Sequence, residues 1–161
     1  MIEYDFGTLL ETLQNAGVEF ILVGGLSAAL HGVPVQTFDV DVVHRRTPEN
    51  VDRLLPLLQD LDAIYRFQSA RRLQPGRSAL LSSGHQNLLT RNGPLDLLGA
   101  IGDGLGYEEL LPRSTVVSIA PGVGIRVLNL ETLIELKEQL GGEKDRAMLP
   151  LLRRTLERKG R

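Results

Sequence analysis

Cysteine does not occur in this chain. Disulfides, cysteine-ligated zinc and thiolate nucleophiles are therefore excluded. The three histidines, His31, His44 and His85, are scattered and show no metal-ligand spacing. Aromatic residues make up 4% of the chain, and none interleaves with Arg71, Arg72 and Arg77, so a nucleic-acid backbone contact there would lack a base-stacking surface. No apolar run approaches the ~20 residues of a membrane-spanning helix, so no membrane partner is expected. Met1-Ile2-Glu3-Tyr4-Asp5 carries neither the basic nor the apolar region of an export signal. Cytoplasm is the expected location.

What is present suits a soluble globular domain: 161 residues, 42% hydrophobic and 24% charged. One domain, 1–161, is expected, with a helical C-terminal part from about 129. The net charge of −2 is unevenly spread. Residues 1–65 hold ten acids and three bases, whereas residues 66–161 hold ten acids and fifteen bases. Such asymmetry fits a polyanionic partner for the second half, and equally an ordinary solvated surface.

Asp5 or Thr8 caps an expected first helix that runs to about Ala16 and closes at Gly17. Phe20-Ile21-Leu22-Val23 is continuously apolar and reads as a buried strand. Gly24-Gly25 ends it, and Ser27 to His31 reads as a short helix stopped by Gly32 and Pro34. A strand is expected over Thr37 to Val43, then a helix opened by Thr47-Pro48-Glu49 and kinked at Pro56. Ala63 to Phe67 is a candidate strand, and Ser69 to Ser83, with Arg71, Arg72 and Arg77, reads as a mobile basic loop. Leu88 to Leu98 is a hairpin about Asn92-Gly93. A short helix over Tyr107 to Leu111 and two strands about Pro121-Gly122 follow. Asn129 caps a helix ending at Gly141-Gly142, and a last helical region from Glu143 is expected to divide at Pro150. The basic tail, Arg153, Arg154, Arg158, Lys159 and Arg161, suits a helix C-terminus without any partner.

Two carboxylates, Asp39 and Asp41, stand two positions apart in the second strand. In an extended chain they share a face about 7 Å apart. Like charges so placed repel unless a cation lies between them. Hard divalent ions take such carboxylates together with substrate phosphates. Gly24-Gly25 lets backbone approach a phosphate closely, and Ser27 adds a hydroxyl two residues on. His44-Arg45-Arg46 just beyond the acids reads as a solvated strand end, with substrate phosphate as the alternative contact. His31 reads as a packing residue beside Gly32.

Each signal alone is weak, but both are tied to strands and separated by one short helix. Gly24-Gly25, His31-Gly32-Val33-Pro34 and Thr37-Phe38-Asp39-Val40-Asp41 together resemble the nucleotidyltransferase superfamily typified by DNA polymerase β. They are most similar to its small bacterial members, the minimal nucleotidyltransferases and abortive-infection toxins. The resemblance implies an α+β fold: a small mixed sheet flanked by helices, with helices at the C-terminus. It implies a third acid in an apolar setting, matched by Asp96 in Leu95-Asp96-Leu97-Leu98. By that likeness Asp39, Asp41 and Asp96 ligate Mg²⁺ or Mn²⁺. Gly24, Gly25 and Ser27 hold triphosphate, and Lys137 or Lys144 neutralises its charge.

The implied activity moves a nucleoside monophosphate from a triphosphate such as ATP to a hydroxyl acceptor on tRNA or protein. Such an enzyme can belong to a toxin–antitoxin pair with a cognate protein partner. Two departures stand in the sequence. Gly25 replaces a frequent serine, and Val35 occupies a position where an arginine is common. The alternative is a non-catalytic antitoxin or regulator that keeps the fold for binding protein.

Overall fold

A computed structural model describes residues 4–160. Met1, Ile2, Glu3 and Arg161, read above, lie outside the described residues. The order of elements is α1 (Phe6–Asn15), β1 (Phe20–Val23), α2 (Gly24–Leu30), β2 (Val40–His44), α3 (Pro48–Asp60), β3 (Ile64–Tyr65), α4 (Arg77–Leu81), β4 (His85–Thr90), β5 (Gly93–Leu98), α5 (Tyr107–Leu110), β6 (Ser114–Ala120), β7 (Val123–Leu128), α6 (Leu130–Leu140) and α7 (Glu143–Lys159).

The seven strands form one mixed sheet in the order β3-β4-β5-β2-β1-β7-β6. The apolar run of β1 is central and buried along its whole length, because both of its faces carry helices. One face joins Leu22, Val40, Val42, Leu95 and Leu97 to Leu9 and Leu13 of α1 and to Val51 and Leu54 of α3. The other joins Ile21, Val23 and Val43 to α2, α5, α6 and α7 through Ala28, Leu110, Leu133 and Leu152. The result is a three-layer arrangement of helix, sheet and helix.

The second layer of helices is incomplete. It packs against β1 and β2 through α2 and α5. On β4 the residues of the opposite face, Gln86, Leu88 and Thr90, are buried, while His85 is exposed and Asn87 and Leu89 are half-buried. That end of the sheet is a shelf without a helical lid.

Several local expectations shift. β2 begins at Val40, so Thr37 to Asp39 lead into the strand, with a bend at Asp39, rather than forming part of it. α2 opens at Gly24 itself, three residues before Ser27. The hairpin turns on Arg91-Asn92, since Thr90 pairs with Gly93. Gly93, at φ +122°, becomes the first residue of β5. The basic segment is not a free loop. It forms a 3-10 turn over Arg66–Arg71 and then α4, anchored by the fully buried Leu80. Pro150 sits inside a continuous α7. Its missing N–H leaves one helical bond unmade, while buried Leu149 and Leu152 hold the helix to the core on both sides.

Asn50 on α3 is fully buried and works as a polar rivet. Its Oδ1 accepts from the Glu19 N–H at 2.7 Å, and its Nδ2 donates to the carbonyls of Glu19 and Arg45 at 3.0 and 2.8 Å. It ties the entry of β1 to the exit of β2, the two strands that frame the acids. Asn50→Ala is expected to cost on the order of 3 kcal/mol, because buried backbone groups lose their partners. Denaturant unfolding of the two proteins measures the difference.

Candidate active site

Sheet register assembles the acids. β2 and β5 run parallel with Asp41 opposite Asp96, and β1 places Val23 opposite Asp41. Cross-strand partners share a face, so both carboxylates rise from the face that carries α2 and α6. Asp39 reaches the same point from the lead-in to β2. One carboxylate oxygen from each of Asp39, Asp41 and Asp96 lies within 4.8 Å of the others. Asp96 is buried, and the other two are half-buried.

Three such groups cannot all be charged without cost. Burial, and then hydrogen bonding with Asp96, pushes Asp41 up to about 8. Burial and the charge of Asp96 raise Asp39 as well. The donor set is all carboxylate oxygen, which suits a hard divalent cation such as Mg²⁺ or Mn²⁺ and not a soft one. The residues present therefore fit the metal that this kind of site takes.

Gly24 meets the acids directly. Its φ of +71° lies in the left-handed region, and a Cβ built on it would overlap the Asp41 carboxylate. Glycine is needed there for the backbone turn and for the space. Gly25 abuts Thr37, whose Cγ2 would lie 3.3 Å from an added Cβ. Ser27, expected at the phosphate turn, is fully buried. Its hydroxyl donates to the Gly24 carbonyl at 2.6 Å and so braces the turn from inside.

Both lysines come to this end of the sheet. Lys137 lines a cleft of about 190 Å³ together with Gly24 and Asp41. The rest of that cleft is apolar, with Ile101, Leu133 and Leu136 among its walls. Lys137 is held by Asp145 at 2.9 Å. Lys144 is exposed, and its positive charge is felt at Asp39. Val35, where an arginine is common in the family resembled, packs against the second core cluster.

The site includes one group that the sequence reading missed. Arg66 follows β3, and its guanidinium donates to Asp96 Oδ1 at 3.0 Å and to the Leu88 carbonyl at 2.7 Å. Its charge also opposes the raised values of Asp39 and Asp41. The only sequence signal was an arginine at the end of a strand candidate, 30 residues from its partner. His44 and Arg45 are not a solvated strand end. His44 is buried, bonds the Leu80 carbonyl through Nε2 at 2.7 Å, and is held neutral by burial. Arg45 pairs with Glu19 and Glu108. His31 packs as expected, between the Leu128 carbonyl and Lys159 Nζ.

The chain shares its overall fold with structures solved for nucleotidyltransferases. Among solved structures, the chain is similar to a candidate nucleotidyltransferase from Thermotoga maritima, with TM-score 0.57 and 21% identity, over 95% of this chain and 91% of that one. It is also similar to the lincosamide antibiotic adenylyltransferase LnuA in its lincomycin-bound form, with TM-score 0.61 and 13% identity, over 95% of this chain and 98% of that one. No protein-family model matches the chain, and no curated protein does.

Two predictions rest on this geometry. An acid whose pKa is raised on folding stays protonated in the folded state after the unfolded chain has lost its proton. Between about 4, the unfolded carboxylate value, and about 8 the folded chain binds more protons, so stability falls as pH rises through that window. Without divalent cations, the wild type should lose stability from pH 4 to 8, and Asp41→Asn should flatten that slope. Thermal denaturation across pH in chelator measures both. Separately, Gly24→Ala should destabilise the protein by at least the ~1–2 kcal/mol of a left-handed non-glycine residue. It should also weaken Mn²⁺ binding, read by calorimetry, because Asp41 must move.

Proposed function

We propose that the protein is a metal-dependent nucleotidyltransferase that moves a nucleoside monophosphate from a triphosphate to a hydroxyl acceptor. The observation that carries this reading is the convergence of Asp39, Asp41 and Asp96, which fold into an electrostatically costly cluster that a divalent cation relieves. The shared fold with an adenylyltransferase supports it. Mg²⁺ as the ion, ATP as the donor and the cytoplasm as the setting belong to the same reading. A place in a toxin–antitoxin pair follows from the family resemblance alone. A purely binding role would draw on Val35, but it gives no account of three acids kept at this cost.

The roles divide along the sheet. The apolar cleft beside Gly24 and Asp41 takes the nucleoside, and Lys137 stands at its edge. The Gly24-Gly25 turn brings backbone to the triphosphate, and Lys144 meets phosphate charge from α7. Asp39, Asp41 and Asp96 would hold the metal, which when bound neutralises the phosphates and polarises the attacking hydroxyl. That hydroxyl oxygen bonds to the α-phosphorus as the bond to the bridging oxygen breaks. Pyrophosphate leaves with the electron pair. Asp96, at the acceptor side, stands to receive the hydroxyl proton.

Mn²⁺ or Mg²⁺ with one or more nucleoside triphosphates should raise the melting temperature, and Asp39→Ala should abolish the rise. A melting temperature unmoved by any of the four common triphosphates would overturn the reading. Lys144, with no carboxylate partner among the described residues, should matter more for donor binding than Lys137. Lys144→Ala is expected to raise KM for the triphosphate more than Lys137→Ala does, measured by initial rates.

A further inference from the structure

The two edges of the sheet are unlike. β3 is two residues long, and its Tyr65 N–H is taken by the Leu73 carbonyl. β6 is seven residues long, pairs only with β7, and carries neither charge nor proline. Edge strands are ordinarily short, charged, interrupted by proline or covered, because their free backbone groups recruit other strands. None of these devices falls within Ser114 to Ser118, where Thr115, Val116 and Ser118 are exposed. The one irregularity is a bulge between Ser118 and Ala120, at the end of the strand. Val116, in the middle of this segment, is 61% exposed.

The ladder to β7 fixes which groups are free. The Asn129 N–H donates to the Arg113 carbonyl, so the backbone groups of Arg113, Thr115 and Val117 turn toward β7. Those of Ser114, Val116 and Ser118 turn outward, since antiparallel ladders alternate. The Ser114 N–H donates to the Leu111 carbonyl. The N–H groups of Val116 and Ser118, and the carbonyls of Ser114, Val116 and Ser118, have no backbone partner among the described residues. The outward residues read Ser-Val-Ser, which is symmetric about Val116. A two-fold axis through Val116 therefore lays this edge on a copy of itself. Val116 then faces Val116, Ser114 faces Ser118, and Thr115 faces Val117. Each Val116 N–H meets the other Val116 carbonyl, and each Ser118 N–H meets the other Ser114 carbonyl. Charge does not oppose this. In the cross-strand rows from Ser114 to Ser118 the only charged residue is Arg126, opposite Val116. Its copy stands three strand spacings away, about 14 Å, beyond the ~8 Å screening length of physiological salt.

We infer that β6 is a docking edge for a second copy of this chain, and that the two sheets join antiparallel about Val116 into one continuous sheet. Self-pairing occupies the long edge and leaves β3 at both ends, so the association closes at two copies. β1 and β7 lie between the acid-bearing β2 and the seam. Each copy therefore keeps its own triad, and the inference stands apart from the activity proposed above.

Sedimentation and cross-linking test it. The wild type should sediment at twice 17.7 kDa when concentrated and approach 17.7 kDa on dilution, with a melting temperature that rises with concentration. Val116→Lys sets like charges opposite each other on the axis and should raise the dissociation constant about tenfold. Ser118→Pro removes an outward donor without breaking the ladder to β7, and should act in the same direction. Melting temperatures at high dilution, where the wild type is monomeric, verify that the variants are folded. The chain has no cysteine, so Val116→Cys supplies one thiol per copy. A residue facing its own copy in a hydrogen-bonded pair lies ~5.5 Å away between Cα atoms, within disulfide reach. Mild oxidant should therefore link Val116→Cys rapidly. Ser118→Cys, displaced from its copy by about 14 Å along the strand, should stay largely unlinked. A mass of 17.7 kDa at every concentration would overturn the inference and leave the edge to a strand of another protein. So would a mass that grows past two copies, a dimer indifferent to Val116→Lys, or cross-linking as fast at position 118 as at position 116.

Discussion

Repulsion among three carboxylates is the constraint around which this molecule is built. Folding brings Asp39, Asp41 and Asp96 within 4.8 Å of one another at the rim of a hydrophobic core. Burial strengthens their mutual repulsion, and among the described residues the only opposing charge in salt-bridge contact is Arg66, on Asp96. Such a cluster persists only because the surrounding sheet fixes it. Asp41 and Asp96 sit on strands whose neighbours are buried leucines and valines, so neither strand can shift register without exposing its core face. Binding strength stored in the core is thereby spent on holding a site ready for a cation.

The sheet also separates two chemistries by position. On the helical side of the acids lies a largely apolar cleft lined by residues of α6. On the other side lies an open shelf with polar and aromatic edges. Under the proposed activity such a division has a use, since donor and acceptor would meet at one phosphorus from opposite directions. Here it arises simply from where the second helical layer stops.

Much of this was legible in the residues. The glycine turn and the paired acids were read from short motifs, because strand alternation and glycine requirements act locally, while Asp96 was read from the family resemblance. The element order was largely readable for the same reason. What failed to show was long-range. Arg66 reaches Asp96 across two strands, a pairing set by the offset of β3 against β4 that no local pattern encodes. Leu80 converts a basic, polar stretch into an anchored helix through one contact, which hydrophobic periodicity cannot register in a five-residue segment. His44 read as part of a solvated strand end, and its burial depends on a carbonyl contributed by a distant segment; the burial of Asn50, which carries no sequence signal, likewise depends on the distant Glu19 carbonyl. Ser27 sits at the right position for a phosphate, but the helix begins earlier than expected and turns its hydroxyl inward. Pro150 was a local rule overridden by packing on either side.

β3, from which Arg66 extends, is two residues long and lies at the edge of the sheet. Edge pairings this short open with little free energy, far below the cost of global unfolding. When β3 detaches from β4, Asp96 loses its arginine while β5, buried in the sheet, stays in place. The cluster would then pass briefly to a state with more uncompensated negative charge and a wider approach. Cation affinity at the triad is thereby tied to the pairing of one short edge of the sheet.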